Sequence, residues 1–276
     1  MDLLKLTEIA IKAAKDAGQH IKKYMDEDVA FEKKEGGTNY ASQVVTKVDK
    51  ECEDIILSNL LPSCEKYDLA LLTEETEDDK SRFEKDFFWC IDPIDGTLNF
   101  INKEPGFSVS IAMIAKDGTP QIGVVYDPTT DNLYHAAKGN GVFKNGSPWD
   151  LHNENNYLTY VTDKKLKDTP RLPEMKELIQ KHVEELGLQG FEELSGGASV
   201  MNAIRVLENG PACMIKFPKK ETGGGSIWDF ASTACIFQEL GLFATNFDGG
   251  KLDLNRPDST FMHHQGIFYS NLVIDK

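Results

Sequence analysis

The stretch FFWCIDPIDGT, residues 87 to 97, constrains the fold more than any other part of the chain. Its first five residues are aromatic, branched or sulfur-bearing and carry no charge, which predicts a buried strand. Asp92 and Asp95 follow at once, three positions apart. Two carboxylates at the mouth of a buried strand repel each other in a partly dry place, so something positive must sit between them. A chain with this feature needs a sheet whose strand end opens onto a cation site.

The same order, an apolar element and then acid, recurs at LALL before Thr73, Glu74 and Glu75, and at GGGSIW before Asp229. Each instance has an ordinary explanation. TEETEDD reads as a solvated acidic turn, and Asp229 as a cap for the helix after it. Together they bring carboxylates from three segments with no histidine or cysteine cluster nearby, which is the ligand set of a hard cation such as Mg²⁺. Pro93 fixes a turn between the two aspartates and leaves backbone carbonyls free as further oxygen ligands. Gly96 and Thr97 then read as a helix start, where glycine lets an anion approach free N–H groups and Thr97 adds a hydroxyl. Beside an acid pair, that combination points to phosphoryl transfer.

The 276 residues allow one large domain or two that share an interface. A net charge of −15 argues against a general nucleic-acid binder, since a phosphate polymer requires a basic face. The five cysteines are odd in number and show no CxxC spacing, so they read as reduced thiols in a cytoplasmic protein. Residues 1 to 25 lack an apolar run of signal-peptide length, and their apolar positions fall on one helix face. No stretch is long enough to cross a membrane.

Residues 43 to 61 form a second expected helix, and between the two lies the polar, Gly-rich FEKKEGGTNYAS, a loop in which Lys33 and Lys34 read as solvated surface. Apolar runs broken by Asp-Gly, Asp-Pro and Asn-Gly make 106 to 146 an antiparallel meander. A polar, turn-rich stretch follows, which places a domain boundary near 150, between subdomains 1–150 and 151–276. The second half carries expected helices at 173–186 and 198–208, and another after GGGSIWD that ends at Gly241. The whole reads as a layered α/β arrangement.

TEE (73 to 75), DPIDGT (92 to 97) and WD (228 to 229), in that order, together with the meander GVVYDPTTDNLYHAAKGNGVFKNG, resemble the inositol monophosphatase superfamily of Mg²⁺-dependent, lithium-sensitive phosphatases over nearly the whole chain. The one departure is TEE where GEE or SEE is usual. The resemblance implies a layered αβαβα sandwich, classed α/β or α+β, with the site between two subdomains. It implies that Glu74, Asp92 and the Ile94 carbonyl hold a first Mg²⁺, that Asp92, Asp95 and Asp229 hold a second, and that a weaker third lies near Glu74. It matches the catalytic threonine to Thr97 and its partner to Asp49 in VTKVD, with Glu74 beside them. A water activated by this pair and by metal would attack phosphorus in line, and the second metal would stabilise the leaving alkoxide.

The implied partner is a small phosphorylated metabolite, with no membrane or nucleic-acid polymer, and a homodimer is compatible with the resemblance. Related enzymes hydrolyse inositol monophosphates, 3′-phosphoadenosine 5′-phosphate and sugar phosphates. Asp95, Gly96, Thr97 and Asp229 would contact substrate, and discrimination would lie at SGGAS, ending in Ser199, and at FPKKETGGGSIWD. Lys219 and Lys220 stand out in so acidic a chain. They read either as a seat for a second phosphate, favouring a 3′(2′),5′-bisphosphate nucleotidase, or as a solvated turn, favouring inositol monophosphatase. A catalytically silent metal-binding regulator is a further alternative. Loss of Asp49, Thr97 or a ligand would favour it, and all are present. Nucleotidyl transfer would need a basic face for its polymer.

Overall fold

The computed structural model of the chain describes residues 1–33, 44–151, 155–163, 168 and 171–272. The first helix, α1 (Leu3–Lys22), turns Leu6, Ala10, Ala13, Ala17 and Ile21 inward, and Asp2 caps it by accepting the Lys5 N–H. The polar loop expected after it differs at its ends. There β1 (Phe31–Lys33) pairs antiparallel with β2 (Val44–Thr46), while Lys34 and the rest of the loop lie outside the described residues. Helix α2 (Lys47–Tyr67) begins and ends later than its apolar spacing predicts. Thr46 and Asp49 close a reciprocal capping box that fixes the start, and Asp68 in the left-handed region ends the helix.

Seven strands then follow in spatial and chain order: β3 (Ala70–Thr73), β4 (Phe87–Asp95), β5 (Ser108–Ala115), β6 (Pro120–Asp127), β7 (Asn132–Ala137), β8 (Val142–Lys144) and β9 (Ser147–Pro148). Only β3 and β4 run parallel; the remainder is the expected meander. Between β4 and β5 lies the short helix α3 (Thr97–Ile101). The second sheet has the order β11-β10-β12-β14-β13, from β10 (Tyr157–Thr162), β11 (Gly190–Ser195), β12 (Ala212–Lys216), β13 (Phe243–Thr245) and β14 (Ile267–Ser270). The expected second-half helices are α4 (Leu172–Glu185), α5 (Ser199–Glu208) and α6 (Trp228–Glu239).

Three apolar clusters stack these elements. Helices α1 and α2 bury their faces on one side of the first sheet, around Trp89, Ile111 and Val124. On the other side Phe88, Ala112 and Val125 meet α5 and α6, which in turn cover Met214 and Tyr269 of the second sheet. Helix α4 closes the outer face of that sheet over Leu158, Tyr160 and Ile215. The layers run αβαβα. Each large side chain buried in them contributes roughly 1.5–3 kcal/mol. The fit is tight where α6 meets β6: a Cβ on Gly123 would come 2.1 Å from the Ser232 carbonyl oxygen, so only glycine admits the helix there. All five cysteines are free and buried, and among the described residues no helix is long and apolar enough to cross a membrane.

Candidate active site

The opening feature folds differently from a strand that stops at a turn. Strand β4 continues through Asp92 and Pro93 to Asp95, and its pairing with β5 shifts register between the two aspartates. That irregularity lets both carboxylates face one place, which strict alternation would forbid at a spacing of three. Asp229, in the first turn of α6, joins them. One oxygen from each of Asp92, Asp95 and Asp229 lies within 4.8 Å of the others. Asp229 does not cap from outside the helix as an N-cap would; Ile227 holds that position, and Asp229 accepts the Ser226 N–H from within.

Burial, the largest influence, pushes the Asp92 carboxyl well above the usual carboxylate range, and the charges of Glu74, Asp95 and Asp229 push it further. Asp95 rises by burial and by Asp229, against the Val200 N–H and Lys216. Burial raises Asp229 too, opposed by the Ser226 N–H and Lys216. Asp92 Oδ2 is buried and has no hydrogen-bond partner among the described residues, while its Oδ1 accepts the Ile94 N–H at 3.1 Å. An orphaned carboxylate oxygen facing further carboxylates, with no nitrogen or sulfur donor among them, fits a hard divalent cation such as Mg²⁺.

Beside the acids, Thr97 Oγ1 donates to Asp49 Oδ1 at 3.0 Å and lies 3.3 Å from the Ile94 carbonyl oxygen. Asp49 comes from the first turn of α2, where its Oδ2 accepts the Thr46 N–H at 2.8 Å and the Thr46 hydroxyl at 2.6 Å. Burial raises the Asp49 carboxyl to about 6, with Glu74 adding to the rise and the Thr46 and Thr97 bonds opposing it. Gly96 stands between strand and helix at φ +97°. A Cβ there would be strained and would come 2.8 Å from that of Ala198, so the chain can turn from Asp95 to Thr97 only through glycine.

Ser199 opens α5, and the next N–H, that of Val200, donates to Asp95 Oδ2 at 2.8 Å. Lys219 and Lys220 are exposed on the loop after β12. Lys219 is held through its N–H to the His263 carbonyl, at 2.9 Å, and its Cε lies 3.4 Å from where a Cβ on Gly224 would be. The sequence reading missed a cation whose charge acts on Asp95 and Asp229. Lys216, the last residue of β12, donates to Ser199 Oγ at 2.9 Å and to Asp163 Oδ2 at 2.7 Å. Burial alone would lower this lysine, but Asp163, Asp229 and Asp95 outweigh it and hold the ammonium above its ordinary value. The signal was available: ACMIK is an apolar strand ending in a charge, the same order that marks the acids.

The chain matches the Inositol monophosphatase family over residues 2–271. It belongs to that family. Its similarity to the Nus factor SuhB of Escherichia coli K12 is 38% identity over 141 residues, 51% of this chain and 50% of that protein. With the inositol-1-monophosphatase of Bacillus subtilis it is 35% over 140 residues, again 51% and 50%. The chain thus spans about half the length of the curated relatives it matches. The staphylococcal SaIMPase-II, solved with 2′-AMP and with inositol monophosphate bound, superposes at TM-scores of 0.70 and 0.69. Each has 25% identity and covers 97% of this chain and 89% of that one. These family members share the layered fold, and metal-dependent phosphatases are the family's enzymes.

Proposed function

We propose that this chain is a Mg²⁺-dependent phosphatase that hydrolyses a small phosphate monoester. The observation that carries the reading is the buried Asp92–Asp95–Asp229 cluster beside the Thr97–Asp49 hydrogen bond. Asp92, Asp95, Asp229, Glu74 and the Ile94 carbonyl would hold Mg²⁺, which when bound supplies positive charge to the phosphate and its leaving oxygen. The donated Thr97 proton leaves the Oγ1 lone pairs free to accept from a water. Asp49, raised to about 6, is placed to draw the proton away through that hydroxyl. The water oxygen forms its bond to phosphorus, the ester P–O bond breaks, and the departing alkoxide takes a proton from solvent. Gly96 lets the chain turn so that Thr97 meets Asp49, while Ala198 and Phe107 fill the space beside its Cα.

The preferred substrate in this reading is a 3′(2′),5′-bisphosphate nucleotide, with inositol 1-phosphate as the runner-up. Lys216 supports a second anionic group beside the acids, and Lys219 extends the positive charge along the rim. The binding of 2′-AMP by SaIMPase-II supports room for a nucleotide, and its binding of inositol monophosphate supports the runner-up equally. A regulator without turnover draws support from the name Nus factor carried by SuhB. The test is phosphate release from a panel of 3′-phosphoadenosine 5′-phosphate, 2′-AMP, inositol 1-phosphate and fructose 1,6-bisphosphate, with and without Mg²⁺. Release that needs Mg²⁺ and is fastest with the bisphosphate nucleotide is expected. No release from any ester would leave the regulator.

A further inference from the structure

Helix α2 reaches the site twice. Asp49 in its first turn takes the Thr97 hydroxyl, and one turn later Glu53 extends toward the segment that carries Glu74. Glu53 is buried, which for a carboxylate requires hydrogen-bond donors. It has two. Its Oε2 accepts the Glu75 N–H at 3.1 Å, and its Oε1 accepts the Thr76 hydroxyl. Both donors belong to the turn just after Glu74. On the other side, the Glu74 N–H donates to the Ile91 carbonyl of β4 at 3.2 Å, next to Asp92. The main chain at Glu74 is therefore tied to the strand of Asp92 by one end and to the helix of Asp49 by the other.

We infer that Glu53 is a positioning residue for the metal centre: it fixes the Glu74 carboxylate relative to Asp92 and to the Thr97–Asp49 pair. This rests on the reading of Glu74 as a Mg²⁺ ligand. Mg²⁺ demands closely set oxygen ligands at short distance, so a ligand on an untethered acidic turn would bind it poorly. TEETEDD is such a turn by composition, with five acids in seven residues, and like charges drive its segments apart. The Thr76 N–H to Thr73 Oγ1 and the Arg82–Asp78 pair hold the turn to itself and to its far end, and Glu53 ties it to α2 through two hydrogen bonds, to backbone and hydroxyl, both of which fix position.

A positional role and a merely electrostatic one predict opposite rankings among variants. Glu53→Gln removes the charge but keeps the reach: its amide oxygen accepts the Glu75 N–H, and its NH₂ donates to Thr76 Oγ1, which is both donor and acceptor. Glu53→Asp keeps the charge but draws the carboxylate back by about 1.5 Å. The experiment is a calorimetric titration of substrate-free protein with Mg²⁺, for wild type, Glu53→Gln, Glu53→Asp, Glu53→Ala and Glu74→Gln, with melting temperatures alongside. The rate of phosphate release against Mg²⁺ concentration completes it.

The expected result is Mg²⁺ binding weakened on the order of tenfold in Glu53→Asp and Glu53→Ala, and within about twofold of wild type in Glu53→Gln. At saturating Mg²⁺ the Michaelis constant for substrate should stay near that of wild type. If Glu74→Gln weakens Mg²⁺ binding while Glu53→Asp and Glu53→Ala bind as wild type does and only melt earlier, Glu53 is an ordinary buried acid and the inference falls. The reverse ranking, with Glu53→Asp sound and Glu53→Gln impaired, also overturns it by making charge the cause. If Glu74→Gln itself binds Mg²⁺ normally, the ligand reading of Glu74 fails instead, and the positioning inference goes with it.

Discussion

Asp92 and Asp95 stand on a nine-residue strand that is buried after its first residue, and each neighbouring acid is tied by backbone or hydroxyl bonds. Lys219 and Lys220 stand on an exposed loop, where Lys219 donates its N–H to the His263 carbonyl. The acids thus lie in a rigid layer, the floor of the site, and the two lysines on a surface segment, its rim in the proposed reading. Lys216 lies between the two, half-buried and shared by Asp163 and Ser199. The contrast separates two tasks. Charge stabilisation needs fixed groups in a dry place, whereas recognition of a second anion can be built on side chains that solvent still reaches. Variants should respond accordingly.

The largest effect should come from the floor. Asp92→Asn is expected to lower turnover on the order of 10³-fold, measured by phosphate release at saturating Mg²⁺. The same variant should melt roughly 2–5 °C above wild type without metal at pH 7.5, because a repelling charge is gone. A carboxyl whose pKa is raised by folding contributes stability at low pH that is lost as pH rises, and asparagine never suffers that loss. The gain should therefore shrink toward pH 5.5. A constant gain across that range would remove Asp92 from the coupled cluster, and near-normal turnover would remove it from the machinery altogether.

Next come Thr97 and Asp49. Thr97→Ala should cost roughly 10²-fold in kcat and far less in KM, since the backbone facing phosphate is unchanged. Asp49→Asn should look similar, and the double variant should be little worse than either, because the two act as one unit. Additive losses would break the pair. With Asp49 raised to about 6, activity should fall as pH drops through that region. Raising Mg²⁺ should move this limb to lower pH, because a cation near Glu74 favours the ionised carboxylate. A limb that ignores Mg²⁺ would assign it to another group.

The smallest effects should come from the rim. Lys216→Met should lower the specificity constant for the bisphosphate nucleotide about tenfold relative to inositol 1-phosphate. Lys219→Ala combined with Lys220→Ala should change that ratio several-fold, as each partly exposed ammonium contributes at most about 1 kcal/mol. The lysine effects should weaken with added salt. Unchanged ratios would sharpen the comparison in the other direction: the rim would be solvated surface, and inositol monophosphate the better substrate.

The floor was far more legible in the sequence than the rim. The meander and the helices of the second half follow from local periodicity, whereas the order β11-β10-β12-β14-β13 of the second sheet does not. The acids announce themselves because a charge beside FFWCI or LALL needs a reason. The course of β4 past Asp92 was not legible, since Asp-Pro-Ile-Asp reads as a turn and only pairing with β5 keeps it in the sheet. The start of α2 was missed because one side-chain cap at Thr46 outweighs several residues of apolar spacing. Lys216 and Glu53 escaped for a further reason. Their meaning lies in partners at Asp163, Ser199, Glu75 and Thr76, and no local pattern links those positions.

Helix α6 begins about eighty residues after the first sheet ends, at Trp228 against Pro148, yet Gly123 on β6 is shaped to receive it. During synthesis at about 5–20 residues per second, the apolar face around Ala112 and Val125 therefore waits on the order of 5–20 seconds for its cover. The nascent protein emerges with an apolar face bare, and the helix that brings Asp229 to the acids completes the cover that α5 begins.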